Sequence, residues 1–135
     1  MDILSQAVSD TATIHVKSAA GEPLYSDGKP VRITIYGRGS KQYAVVEARQ
    51  TARAIKRMHD NDGKITAATP EERVQETAED LADLTATFEN IEYGELQGQE
   101  LFRAVYAEPR LGFIVDQMTR VLKDWGNFKP GSAGN

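Results

Sequence analysis

The amino-acid sequence predicts an α+β fold, in which a small N-terminal antiparallel β-hairpin or meander is followed by about four α-helices. Two observations lead to this prediction. Near the N-terminus, apolar and polar residues alternate in two short runs, as in half-buried strands. Farther along the chain, apolar residues recur every three or four positions, as on one face of a helix. Glycine and proline separate these segments, which indicates turns between them.

The two alternating runs, residues 11–17 and 31–36, are the predicted strands. Asp27-Gly28-Lys29-Pro30 supplies turn residues before the second run, because these residue types favour tight turns. Leu24-Tyr25 is a candidate for an additional short strand. A hairpin or small antiparallel meander is therefore expected.

The first predicted helix covers residues 40–59, with Ser40 as its N-cap. Its apolar positions recur at the spacing of one helical face, which we expect to be turned inward: Val45, Ala48, Ala52 and Ile55. The opposite face is basic, and we expect it to be turned outward, towards an acidic neighbour or partner: Arg49, Arg53, Lys56 and Arg57.

The second predicted helix begins at Thr69-Pro70 and runs to about Asn90. Thr69 suits the N-cap, Pro70 the first turn, and Glu72 the capping-box position. The apolar residues that we expect this helix to bury are Val74, Ala78, Leu81, Leu84 and Phe88. Because it is as acidic as the first helix is basic, an antiparallel pairing of the two would bring opposite charges together.

Two further helices are predicted, a short one near residues 99–106 and a last one over residues 110–125. The last helix has a wide apolar side, which either belongs to the core or is partly offered to a partner. Met118, Leu122 and Trp125 are the residues that we single out as a candidate protein-binding edge.

Composition narrows the classes of function. The chain has 135 residues, no cysteine and a formal charge of −4, so we expect one domain and neither a thiolate metal site nor general nucleic-acid binding. No apolar stretch approaches the roughly 18 residues typical of a membrane span, and we expect a cytoplasmic protein. The predicted organisation is a flexible N-terminus at residues 1–10, one domain at 11–128 and a disordered tail at 129–135.

The motifs that resemble chemical sites are incomplete. Gly37-Arg38-Gly39-Ser40 lies between a strand and a helix, but the third glycine of a dinucleotide-binding motif would fall on Gln42. No serine lies in a nucleophile elbow, and the two histidines, His15 and His59, have no ligand at zinc-site spacing. We therefore expect neither an enzyme nor a cofactor-binding protein.

A calcium loop is the other motif to consider, because residues 60–66 (DNDGKIT) read like the middle of an EF-hand. With Gly63 at the sixth loop position, Met58 occupies the first and Thr69 the twelfth, where carboxylates are required. A polar turn between helices is the favoured interpretation.

An ordered set of short segments resembles the tail assembly chaperones of long-tailed, siphovirus-type bacteriophages. The likeness spans roughly residues 24–128 and is carried by residues 28–37 (GKPVRITIYG), 40–43 (SKQY), 88–91 (FENI), 104–109 (AVYAEP), 116–117 (DQ) and 127–128 (NF). The chain departs from the pattern at Phe88, where tryptophan is frequent, and at the helix lead-in Gln97-Gly98-Gln99.

The resemblance implies an assembly factor made in the cytoplasm of the infected bacterium. Such a chaperone coats the tape measure protein, keeps it soluble and helps the major tail tube protein to polymerise around it. The family often has a longer form made by programmed ribosomal frameshifting, for which the segment after Phe128 is a reasonable junction. A homo-oligomer is also expected, since self-association would raise avidity for a repetitive partner. The main alternative is a structural phage tail or head-tail joining protein.

Overall fold

The computed structural model describes residues 1–60, 63 and 68–130, and it confirms the α+β class. A three-stranded antiparallel sheet has the order β1-β4-β5, and a separate two-stranded ladder joins β2 to β3. The strands are β1 (Thr11–His15), β2 (Tyr25–Ser26), β3 (Lys29–Pro30), β4 (Arg32–Tyr36) and β5 (Thr85–Glu89). The helices are α1 (Lys41–Asp60), α2 (Pro70–Asp83), α3 (Gly98–Ala107) and α4 (Gly112–Lys123).

The N-terminal strands form as their alternation predicts. β1 and β4 pair antiparallel, with Thr11 opposite Tyr36 and His15 opposite Arg32. Between them, β2 and β3 meet across Asp27 and Gly28, whose φ angles of 50° and 76° are both positive. Two positive φ angles are typical of the type I′ hairpin turn, in which aspartate followed by glycine is a favoured pair.

The prediction for the second helix is wrong at its C-terminal end, because α2 stops at Asp83 and the chain continues as β5. β5 pairs antiparallel with β4, placing Phe88 opposite Ile33 and Thr87 opposite Thr34. Threonine and phenylalanine favour strands, and β4 would otherwise have a free edge on this side. The third strand of the sheet therefore comes from between α2 and α3.

Both long helices begin where predicted. Ser40 Oγ accepts a hydrogen bond from the backbone N–H of Tyr43 at 3.2 Å, and Thr69 Oγ1 accepts one from Glu72 at 3.1 Å. These bonds satisfy N–H groups that a helix leaves without an internal partner.

The core lies between the sheet and the helices α2, α3 and α4. Its most buried large residues include Val16, Ile33, Ile35, Val105, Met118 and Phe128. α3 contributes Leu101, Phe102, Val105 and Tyr106. The aromatic rings of Phe88 and Phe102 lie 4.5 Å apart between centroids.

Two long-range contacts bring the C-terminal part of the chain onto the sheet. The Gln117 side chain on α4 accepts from the Lys17 N–H at 2.8 Å and donates to the Lys17 carbonyl at 2.7 Å. The Phe128 ring lies against Gly37, where a Cβ atom would be only 2.6 Å from the ring. At the N-terminus, a 3-10 helix spans Ile3–Gln6 and the Ser9 N–H donates to the Phe128 carbonyl at 2.6 Å.

Candidate protein-binding surfaces

The candidate binding edge on the last helix is divided between the core and the surface. The helix ends earlier than predicted, because Asp124 has an extended backbone and residues Trp125–Phe128 form a 3-10 turn. Met118 is fully buried, so the structure places it in the core and not on the edge. Leu122 is half-buried, and Trp125 is 46% exposed. Of the three residues, Trp125 and Leu122 remain at the surface.

Trp125 is held in place by a cation. The guanidinium carbon of Arg38 lies 4.9 Å from the centroid of the indole ring, and Arg38 Nη2 donates to the Lys123 carbonyl at 2.8 Å. Gly39 lies beside the ring, where a Cβ would make an ordinary contact at 3.6 Å. A contact of this kind is worth about 0.5–1 kcal/mol at an exposed site, so Trp125 is an oriented, half-exposed aromatic side chain.

A cleft of about 330 Å³ extends this edge towards α1. Its apolar lining includes Leu122, Val46 and Tyr43, and its polar lining includes Gln50 and Asp80. A mixed lining of this kind suits the side chains of an amphipathic partner.

The contact between α1 and α2 is built on Asp80, which is 7% exposed. Its Oδ1 accepts from Arg49 Nη2 at 2.8 Å, and its Oδ2 accepts from Arg53 Nη1 at 2.9 Å and from Gln50 Nε2 at 3.0 Å. Burial by itself raises the pKa of Asp80, but the hydrogen bonds from Arg53, Gln50 and Arg49 outweigh it and hold the pKa below its ordinary value. The carboxylate is therefore ionised at neutral pH.

Further ion pairs continue along the two helices. Arg53 meets Glu79 at 3.1 Å, Arg49 also meets Asp83, and Arg57 binds Glu76. The prediction that the basic and acidic helices bring opposite charges together is confirmed. The basic residues of α1 thus engage carboxylates of the same chain.

This arrangement overturns the predicted orientation of α1. The residues expected to face inward are exposed: Val45, Ala48, Ala52 and Ile55. Within α1, all of whose residues the structure describes, only Val46 is buried. The helix turns its arginines towards the domain because buried Asp80 requires cationic partners. Sequence reasoning missed Asp80; its signal was an acidic residue next to Leu81 and Ala82 in the chain, on the side of α2 that meets α1.

A buried polar pair beneath the sheet was also not anticipated. The Tyr106 hydroxyl lies 2.8 Å from Thr85 Oγ1, which donates to the Leu81 carbonyl at 2.7 Å. Burial raises the pKa of Tyr106. The phenol stays protonated and closes a hydrogen-bonded chain inside the core.

The calcium-like loop falls largely outside the described residues, since residues 61, 62 and 64–67 are not among them. Within the described part of the chain, no group of three or more His, Cys, Asp or Glu side chains could hold a metal ion. No helix among those residues is long and apolar enough to cross a membrane. In comparisons with known proteins, no protein-family model, curated protein or solved structure matches the chain.

Proposed function

We propose that this protein is a tail assembly chaperone of a long-tailed bacteriophage, which binds the tape measure protein, keeps it soluble and promotes polymerisation of the tail tube around it. The observation that supports this proposal best is the edge formed by Trp125 and Leu122, which continues into the cleft beside α1. The ordered resemblance of residues 24–128 supplies the kind of partner.

The chemistry of the edge suits such a partner. A tape measure protein is a long helix that exposes apolar residues until the tube encloses it. An oriented tryptophan beside a groove of mixed lining suits the apolar face and the polar flanks of an amphipathic helix. With only a small contact area, each contact would be weak, and many copies would bind along the partner by avidity.

The wider proposal includes further partners. A form extended by ribosomal frameshifting would share this domain, and the major tail tube protein would displace the chaperone from the tape measure during polymerisation. The site of action is the host cytoplasm. A homo-oligomer would present several Trp125 edges to one tape measure molecule.

Co-expression with the tape measure protein of the same genome tests the proposal. We expect the tape measure protein to become soluble and to co-purify with the wild-type chain. Trp125→Asp should abolish both effects while circular dichroism shows an intact fold, since Trp125 is 46% exposed; Leu122→Asp should abolish them too, but it also disturbs the packing of a half-buried side chain against the core. Tyr25→Asp is the matched control, because Tyr25 is a 61% exposed aromatic residue on a different surface.

The same experiment distinguishes a chaperone from the alternative, a structural phage protein. If the tape measure protein remains insoluble and mass spectrometry finds this chain in mature particles, the protein is a structural tail or head-tail joining component.

A further inference from the structure

The outward face of α1 is an apolar surface that nothing in the described chain covers. Val45 is 65% exposed, Ile55 is 59% exposed and Met58 is 41% exposed. The smaller residues between them, Ala44, Ala48 and Ala52, are exposed as well. This face lies opposite the arginines that bind Asp80, so the attachment of α1 to the domain leaves it entirely free.

The spacing on this face is that of a helix-pairing seam. Val45, Ala48, Ala52 and Ile55 follow one another at intervals of three, four and three residues, which is the a/d spacing of a heptad repeat. Thr51 is uncharged and exposed beside this seam. The seam therefore fits a second helix packed along its length.

The order of side chains along the seam favours a second copy of the same helix. Val45 and Ile55 lie five residues on either side of position 50, and Ala48 and Ala52 lie two residues on either side of it. If two copies pack antiparallel about that point, Val45 of one copy meets Ile55 of the other. Ala48 likewise meets Ala52, and the small central residues let the backbones approach closely.

Charges at the two ends of α1 favour the antiparallel arrangement over the parallel one. Antiparallel pairing places Lys41, at the start of one helix, beside His59 and Asp60 at the end of the other. The positive end of each helix dipole then lies beside the negative end of its neighbour. Parallel pairing would instead place Lys41 beside Lys41 and align like dipole ends.

The size of the seam indicates a reversible association. A helix of 20 residues is about 30 Å long, and a contact strip about 10 Å wide along it covers about 300 Å² of each copy. Stable interfaces bury about 800 Å² of each partner. A strip of this size is also small enough for a separate monomer to expose.

We propose that α1 is a self-association surface, through which two copies of this chain pair in an antiparallel manner about a two-fold axis near position 50. This inference rests on the geometry of α1 and not on the proposed chaperone function. It adds a second surface to the Trp125 edge and leaves that edge free for another partner.

Sedimentation velocity over a series of protein concentrations tests the association. The wild-type chain should shift from monomer to dimer as concentration rises. Ala48→Arg, in the middle of the seam, should raise the dissociation constant at least about tenfold, because it buries an unpaired charge at the contact. Ala54→Arg is the matched control, since it makes the same substitution at an exposed position on a different side of the helix from the seam, and it should dimerise like wild type.

A wild-type chain that stays monomeric at every concentration overturns the proposal and leaves the face to a different protein. Dimers that persist unchanged in Ala48→Arg overturn it as well, because association would then use another surface.

Cysteine cross-linking tests the orientation, since the natural chain has no cysteine. In the antiparallel pair, Val45 and its own copy lie about 15 Å apart along the axis, too far for a disulfide, which needs Cα atoms within about 7 Å. An oxidised mixture of Val45→Cys and Ile55→Cys chains should give disulfide dimers containing one chain of each. Disulfide dimers of Val45→Cys alone would mark a parallel pair and contradict the proposed geometry.

Discussion

The two sides of α2 make contacts of opposite character. On one side, Ala78, Leu81 and Ala82 belong to an apolar core that includes residues of the sheet and of α3 and α4. On the other side, Asp80 and its acidic neighbours bind the arginines of α1. The core cluster, as far as the structure describes the chain, contains no residue of α1.

The difference indicates which part of the molecule opens first. Apolar burial contributes about 25 cal/mol per Å² and requires no particular orientation of the contacting groups. Exposed ion pairs contribute about 0–1 kcal/mol each and weaken in salt. α1 depends mainly on one buried carboxylate and on pairs at its rim. We therefore expect α1 to undock while the sheet and the remaining helices stay folded.

The largest expected effect comes from making the same isoleucine-to-alanine substitution in the apolar core and on α1. Ile33→Ala, in the fully buried centre of the sheet, should lower the free energy of unfolding by about 2–5 kcal/mol, because it removes apolar contacts and leaves a cavity. Ile55→Ala, on the exposed face of α1, should change it by less than about 0.5 kcal/mol. Urea unfolding followed by circular dichroism measures both. Equal losses would mean that the outward face of α1 is packed against the domain.

The next effect is on the charged side of α2. Asp80→Asn should lower the free energy of α1 opening by about 1.5–3 kcal/mol, because an amide cannot replace the charge-assisted hydrogen bonds from Arg49 and Arg53. Asp83→Asn is the control, since the Asp83 side chain is 47% exposed and should cost only about 0–1 kcal/mol. Amide hydrogen exchange of α1 measures this opening. If protection in α3 falls as much as protection in α1, the helix does not open on its own.

The contact between Gly37 and Phe128 tests how tightly the apolar core is packed. A methyl group at position 37 would overlap the Phe128 ring, so Gly37→Ala should destabilise the fold by about 1–3 kcal/mol through overpacking. Gly39→Ala serves as the control, since its new methyl group would meet Trp125 at an ordinary 3.6 Å. Thermal unfolding distinguishes the two. Similar melting temperatures would show that Phe128 moves aside without cost.

Acidification should weaken the charged contact between α1 and α2 and leave the apolar core unchanged. Around neutral pH it should have the smallest effect of the four predictions. The pKa of Asp80 is lowered in the folded state, so the stability that it contributes is fully present above the pKa of an unfolded aspartate. This contribution is lost as pH falls through the lower, folded pKa. The difference in urea midpoint between wild type and Asp80→Asn should be constant around neutrality and should shrink in acid. A difference that does not change with pH would rule out the carboxylate charge as its source.

Much of the fold could be predicted from local patterns. The alternation in residues 11–17 and 31–36, the turn at Asp27-Gly28 and the caps Ser40 and Thr69 each depend on neighbours a few residues away. The structure contains each of these features. The resemblance, by contrast, suggests a function that the proposed co-expression experiment has yet to test.

The sequence by itself determined that the chain is α+β, where its helices begin, and that one helix is basic and the next acidic. The tertiary structure decided which way those elements face. Residues 85–89 could continue a helix, but they extend the sheet because the edge of β4 is open to pairing. α1 could bury two alanines, a valine and an isoleucine, but alanine adds little apolar area, whereas Asp80 in the interior needs the guanidinium groups. Only the packed structure contains that requirement, because it depends on where another helix places one carboxylate.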